Sequence, residues 1–210
     1  MLEQMGARIA ILASGAGTTA QSLIDASAKG ELGSGEISLV ISDRQDAEVL
    51  RRAESAGIEG RFVDPGGLDR AGYGKLLSEE IRGAGVDFVC LAGFMRILDH
   101  RFVEDFSGRL VNTHPSLLPA FPGAHPVRDA LQYGARVTGA TVHFVDEGID
   151  TGPVIFQEAV AVLDEDDEET LHERIKQVER VLYPKAVRAV VAGRTRIEGR
   201  RVVVTPEAGA

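Results

Sequence analysis

The chain has almost no cysteine, no surplus of positive charge and no long hydrophobic run. Cys90 is the one cysteine in 210 residues, so no disulfide can form within the chain. It lies in the apolar run Phe88-Val89-Cys90-Leu91-Ala92, where a small buried hydrophobe is expected. Acidic residues outnumber basic ones 32 to 23, and the formal net charge of −9 disfavours wholesale binding to nucleic acid or to an anionic membrane. A small phosphorylated substrate stays compatible, because one local loop can override the global charge. No apolar stretch approaches the roughly 20 residues of a membrane-spanning helix. The polar start, residues 1–6, does not resemble a secretory signal. These absences lead to the expectation of a cytoplasmic protein. Its length fits one domain and can bury a sizeable core without staples.

Apolar runs alternate with helical spacing along the first half. Residues 8–13, 37–41, 61–63 and 86–92 read as strands; residues 18–28 and 47–56, and the spacing of Tyr73, Leu77 and Ile81, read as helices. Strands that are apolar throughout are buried on both faces, and β–α alternation implies right-handed parallel crossovers. The expectation is an α/β protein whose N-terminal half is a Rossmann-like, doubly wound, mostly parallel sheet. The second half is mixed. Strands are expected at 138–145 and 154–162, with a helix at 125–133. Leu171, Ile175, Val178 and Leu182 mark a long amphipathic helix, which Pro184 should kink or break. Residues 195–204, with Glu198-Gly199 at the centre, read as a terminal hairpin. The acidic run 164–169 reads as a solvated loop that leaves charge at a helix N-terminus.

Two segments stand out chemically. Ser14-Gly15-Ala16-Gly17-Thr18-Thr19 follows the first strand and opens the first helix, where free N–H groups and two hydroxyls suit a phosphate. It is neither a Walker loop nor a good dinucleotide fingerprint, because Ala20 takes the last glycine position. A tight β–α turn is the plain alternative. The second segment is Asn112-Thr113-His114-Pro115-Ser116-Leu117-Leu118-Pro119. It puts an amide and an imidazole at a strand end, ahead of a stiff loop that holds four of the chain's eight prolines. A lone histidine is usually satisfied by local backbone. Here Asn112 accompanies it, and Asp150, in the loop Glu147-Gly148-Ile149-Asp150-Thr151-Gly152, is a carboxylate that can join it. An acid beside His114 would favour the imidazolium. An amide next to a proton-donating histidine suits acyl-type transfer through a tetrahedral oxyanion. Ser116 lacks a nucleophile-elbow context. The five histidines make no His-Glu-x-x-His pair, so no metal is expected; His143 reads as structural, and His125 is left open.

Together with Leu91-Ala92-Gly93-Phe94-Met95-Arg96-Ile97-Leu98 and Asp150-Thr151-Gly152-Pro153-Val154-Ile155, these segments, over nearly the whole chain, resemble the phosphoribosylglycinamide formyltransferases of the formyltransferase superfamily. The resemblance implies one formyltransferase domain over 1–210, with a nucleotide-phosphate-binding half at 1–100 and a catalytic and folate-binding half at 101–210. It implies 10-formyltetrahydrofolate as co-substrate, 5'-phosphoribosylglycinamide as acceptor, no metal, and a monomer or homodimer without nucleic-acid or membrane partners. By the same resemblance Asn112, His114 and Asp150 would be catalytic, with Asp150 tuning His114. Gly17, Thr18, Thr19 and Glu179 would hold the nucleotide. Arg70, Met95, Arg96, Ile97, Leu98 and Asn112 would line the folate site. The family often has Ser-Asn where this chain has Thr18-Thr19; backbone donation survives that change, a side-chain amide contact does not. Methionyl-tRNA formyltransferases carry a further C-terminal RNA-binding domain and formyltetrahydrofolate hydrolases a further N-terminal one, so the glycinamide enzymes are the expected match. The hydrolase activity is the first alternative. A non-catalytic nucleotide-binding module is the second, and it has no use for the Asn112, His114 and Asp150 trio.

Overall fold

Alternating side chains dictate which layer each central strand faces. In β1 (Ala7–Leu12), Ile9 and Ile11 join one apolar core while Ala10 and Leu12 join another, all without exposure. The strand is therefore covered on both sides, as its unbroken apolar run requires. The computed structural model describes residues 6–207. Residues 1–5 and 208–210 lie outside the described residues, and with them most of the polar start and the end of the expected domain.

After β1 come α1 (Thr18–Ala28), β2 (Gly35–Ser42), α2 (Glu48–Ser55), β3 (Glu59–Phe62), α3 (Arg70–Gly83), β4 (Phe88–Leu91) and α4 (His100–Asp105). The second half adds β5 (Leu110–His114), α5 (Pro126–Tyr133), β6 (Val137–Phe144), β7 (Val154–Ala161), α6 (Glu168–Val191), β8 (Thr195–Glu198) and β9 (Arg201–Val204). The strands form one sheet in the order β3-β2-β1-β4-β5-β6-β7-β9-β8. The pairs from β3 through β5 are parallel; β6 runs antiparallel to β5 and β7, and β8 to β9. This is the expected doubly wound half continued by a mixed half with a terminal hairpin. Apolar residues of α1, α2 and α6 fill the core on one face, and those of α3 and α4 fill the core on the other. Among the described residues no helix is long and apolar enough to cross a membrane.

Three local features depart from or refine the sequence reading. α4 was not expected. It has six residues, too few to display a helical period, and it starts at Asp99, whose carboxylate accepts the Arg101 N–H at 3.1 Å. Pro184 neither breaks nor ends α6, which runs through it for 24 residues. An interior proline costs about 3 kcal/mol. Pro184 is itself buried, and so are Leu182, Tyr183, Ala186 and Val187 around it, which offsets that loss. The acidic run ends in a capping box, with the Asp167 carboxylate accepting the Thr170 N–H at 2.8 Å and Glu168 and Glu169 in the first turn of α6.

Tyr183 ties α6 to the sheet. Its hydroxyl lies 2.9 Å from the carbonyls of both Leu91 and Val111, in the paired strands β4 and β5. Tyr183→Phe keeps the ring and removes the donor from two buried acceptors. Urea unfolding should register a loss of about 1–3 kcal/mol, with no change in slope.

Candidate functional site

In a doubly wound sheet, β1 sends its crossovers to opposite sides, and a crevice opens where the strand order reverses. Here that point lies between β1 and β4. A cavity of about 600 Å³ opens there, lined by the loops after β1, β4 and β5 and by one face of α6. The volume suits small organic ligands. Every residue singled out from the sequence lines it: Gly17, Thr18, Thr19, Arg70, Met95, Arg96, Ile97, Leu98, Asn112, His114, Asp150 and Glu179. The switch point gathers strand ends from both halves of the chain. Arg70 and the 91–98 loop come from the first half, and Glu179 comes from the second.

At one end, Gly17 is the N-cap of α1, with φ +69, and no side chain caps the helix. The first N–H groups of α1 therefore remain free for an anion. A Cβ on Gly17 would lie 2.5 Å from Cγ2 of Val49, so glycine is needed for packing as well as for φ. Arg52 donates to the Ala16 carbonyl at 2.7 Å and steadies the turn from outside.

At the other end, the loop after β4 exposes Met95 (72%) and Ile97 (58%), which form an apolar rim to the cavity. Arg70 donates to the Leu98 carbonyl at 2.7 Å. The Arg96 guanidinium turns away to Asp43, 2.7 Å, and lies over the Tyr73 ring. Its charge is therefore matched within the protein. The two ends are joined directly: Met95 N–H donates to Ser14 Oγ at 2.9 Å, and Ser14 N–H donates to the Gly93 carbonyl at 3.1 Å.

Between the ends lies the polar centre. The 36-residue separation of His114 and Asp150 in sequence closes to 3.3 Å between Nδ1 and Oδ2. The same Oδ2 accepts the Gly123 N–H at 2.8 Å, which draws the proline-rich loop over the site. His114 Nε2 donates to the Phe121 carbonyl at 2.8 Å. A carbonyl can only accept, so Nε2 carries a proton. Nδ1 faces the Asp150 carboxylate.

His143, expected to be structural, is buried in β6 and also lines the cavity. It sits opposite Asn112 in the β5–β6 ladder, with Asn112 Nδ2 3.2 Å from its Nε2. Nδ1 donates to the Phe144 carbonyl at 2.8 Å, which leaves Nε2 as an acceptor. Burial pushes its pKa below the ordinary 6.5, so the ring is neutral. Asn112 Nδ2 also reaches Asp150 Oδ1, at 3.5 Å, and His143 Nε2 lies 3.7 Å from the same oxygen. A histidine inside a largely apolar strand was the one signal in the sequence. Glu168, His172, Lys176 and Glu179 also line the cavity. They recur at helical spacing on α6, a pattern that the sequence reading used for Glu179 alone. His125, left open from sequence, is the N-cap of α5 and lines the cavity too.

The surroundings hold these groups in place. Asp150 has φ +54, a conformation aspartate tolerates better than most residues. A Cβ on Gly152 would lie 1.7 Å from the Phe144 carbonyl oxygen, so the Asp150 loop presses on β6. Beneath the proline-rich loop, Thr141 Oγ1 donates to the Ser116 carbonyl at 2.7 Å, and Gln157 donates to the Leu118 carbonyl at 2.8 Å. Among the described residues no group of three His, Cys, Asp or Glu side chains is spaced to hold a metal ion.

A family model described as formyl transferase matches residues 7–187. The chain is 46% identical over 206 residues to a phosphoribosylglycinamide formyltransferase of Mycobacterium tuberculosis, with 94% of each chain covered. It is 44% identical over 195 residues to the trifunctional purine biosynthetic protein adenosine-3 of Drosophila melanogaster, covering 92% of this chain but only 14% of that longer protein. Among solved structures, glycinamide ribonucleotide transformylase 1 from Symbiobacterium toebii superposes with a TM-score of 0.94 at 44% identity, covering 97% of this chain and 96% of that one. A formyltetrahydrofolate deformylase from Pseudomonas syringae superposes with a TM-score of 0.89 at 28% identity, covering 97% of this chain and 67% of that one.

Glu179 makes the cavity's electrostatics testable. It is buried, accepts from Thr113 Oγ1 at 2.8 Å, and burial raises its pKa from 4.5 to about 7. The folded state therefore binds this proton more tightly than the unfolded state does. Stability falls as pH rises from about 4.5 to about 7 and is level above that. Glu179→Gln removes this dependence, so its thermal midpoint should gain on the parent progressively across that window. At pH 8 the advantage should be on the order of 3 kcal/mol; equal gains at pH 5 and pH 8 would place the titration elsewhere.

Proposed function

The chain belongs to the formyl transferase family, and we propose that it transfers the formyl group of 10-formyltetrahydrofolate to the amine of 5'-phosphoribosylglycinamide, a step of purine biosynthesis. The reading is carried by one observation. A single cavity holds an uncapped helix N-terminus at one end, an apolar rim at the other, and Asn112, His114 and Asp150 between them. The M. tuberculosis relative, matched over nearly its whole length, supports the choice of substrates. The cytoplasm is the compartment that fits a purine-synthesis enzyme whose one cysteine is buried and free.

In this reading the nucleotide's phosphate lies on the N–H groups of Gly17, Thr18 and Thr19, with Lys176 supplying a cation from the α6 wall. Glu179 accepts from the ribose hydroxyls. The pterin lies against the loop 94–98, where backbone groups and the Met95 and Ile97 side chains contact it while Arg96 stays with Asp43. Arg70 steadies that loop through the Leu98 carbonyl. The acceptor amine attacks the formyl carbon. A C–N bond forms, and the carbonyl electron pair moves onto oxygen to give a tetrahedral oxyanion. The Asn112 amide donates to that oxygen, and its long 3.5 Å contact with Asp150 is the one it gives up. The neutral His143 keeps the other amide hydrogen and so orients the group. His114 Nε2–H now spends its proton on the Phe121 carbonyl; in the complex it turns to the oxyanion. Asp150 keeps the imidazole aimed. The electron pair then returns to carbon, the bond to N10 breaks, and the proton lost by the attacking ammonium ends on N10.

Formyl-donor consumption should depend strictly on 5'-phosphoribosylglycinamide. Consumption at the same rate without the nucleotide would instead identify the hydrolytic activity named for the P. syringae neighbour. Replacing His114 by alanine should lower turnover by roughly 10²-fold or more and leave folate binding, followed by ligand fluorescence, nearly intact. A variant with parental turnover would remove His114 from the mechanism.

A further inference from the structure

The hairpin β8–β9 lies beyond the segment that the family model matches, residues 7–187, and no step above uses it. Its turn nevertheless reaches the loop that carries Asp150. Arg200, beside Gly199 at the tip, donates from Nη2 to the carbonyl of Thr151 at 2.7 Å. Thr151 is the residue next to Asp150.

The loop is supported both from within and from outside. Its inner bonds run to one of its own members: the Asp146 carboxylate accepts the Gly148 N–H at 3.1 Å and the Thr151 hydroxyl at 2.6 Å. Those bonds shape the loop without fixing it against the sheet. Asp150 meanwhile holds a left-handed φ of +54, and its carboxylate sits 3.3 Å from His114, at the long end of hydrogen-bonding range. A small displacement of the backbone at Thr151 would break that contact.

The hairpin can supply the support because it is anchored elsewhere. At its base, Glu207 pairs with Arg188 of α6 at 2.7 Å and with Arg194 at 3.3 Å, and Thr205 N–H donates to the Arg194 carbonyl at 2.8 Å. Val202 and Val204 pack against the core that α6 covers. β9 also joins β7 where Val154 faces Arg201, directly after the Asp150 loop. The tip is thus held from α6 and from the sheet together.

We infer that Arg200 is a positioning residue for the proposed formyl transfer: from the hairpin tip it holds the Thr151 carbonyl and so sets the reach of the Asp150 carboxylate to His114. This rests on the reading of Asp150 as the partner of His114. Charged hydrogen-bond donors are worth more than neutral ones, and catalytic groups must be held within a fraction of an ångström.

The test is a double-mutant cycle on the full chain, read as kcat and as KM for both substrates. Arg200 is exposed, so Arg200→Ala opens no cavity. Arg200→Ala should lower kcat roughly three- to tenfold while both KM values stay within about twofold. Arg200→Lys, which keeps a donor, should recover at least about half of the loss on a logarithmic scale. In an Asp150→Asn background, itself slowed by roughly 10²-fold or more, Arg200→Ala should have no further effect, because the bond then has nothing to position. Parental kcat in Arg200→Ala, with Asp150→Asn slow, overturns the inference and leaves the Asp150 reading standing. An equal loss from Arg200→Ala in both backgrounds also overturns it, since the arginine would then act elsewhere. Parental turnover in Asp150→Asn removes the Asp150 reading and this inference with it.

Discussion

The carboxylate of Asp150 is the contact on which the centre of this molecule depends. One oxygen faces the His114 ring and accepts the Gly123 N–H; the other faces the Asn112 amide and lies near His143. Strand β5, the proline-rich loop and the β6–β7 loop meet at this single group. An unpartnered carboxylate so little exposed would be costly. Its four neighbours are all donors or potential donors except the neutral His143. His114 is tied through Nε2 to the Phe121 carbonyl, and the neutral His143, pinned by the Phe144 carbonyl, faces the Asn112 amide.

Around this centre the fold acts through strand ends. β1 delivers the uncapped helix start, β4 the apolar loop and β5 the amide and the imidazole, all on the carboxyl side of the sheet. α6 backs them from one side. Tyr183 holds the carbonyl before Asn112, and one turn earlier Glu179 holds the hydroxyl of Thr113 after it. The strand residue that must be best aimed is thus secured on both flanks by two side chains of one helix. The cost of carrying Pro184 directly after Tyr183 is consistent with the burial of that stretch of α6.

The parts legible in the sequence were those with a local signature. Apolar runs located β1, β2 and β4, glycine marked the α1 entry, and the clustering of proline around His114 marked the site. Less legible was anything decided by partners far along the chain. His143 looks like a core histidine until the antiparallel register sets it across from Asn112. Arg96 lines the cavity, but its partner Asp43 lies 53 residues away in the chain. α4 is too short to show a period, and Pro184 obeys packing rather than propensity. In each case local preference was overruled by tertiary contacts that no window of neighbouring residues contains.

The bond between Ser14 and Met95 carries a consequence for how the chain acquires its structure. Its partners are 81 residues apart, Thr113 and Glu179 are 66 apart, and Tyr183 and Leu91 are 92 apart. Contacts of such separation repay the entropy of loop closure only when the intervening chain is already ordered. The doubly wound half can collapse around β1 while the reactive centre still lacks α6 and the β6–β7 loop. During refolding, secondary structure and tryptic resistance of the first half should therefore return before competence to bind or react. Recovery of the site would therefore report contacts gathered from across the chain rather than from any one part.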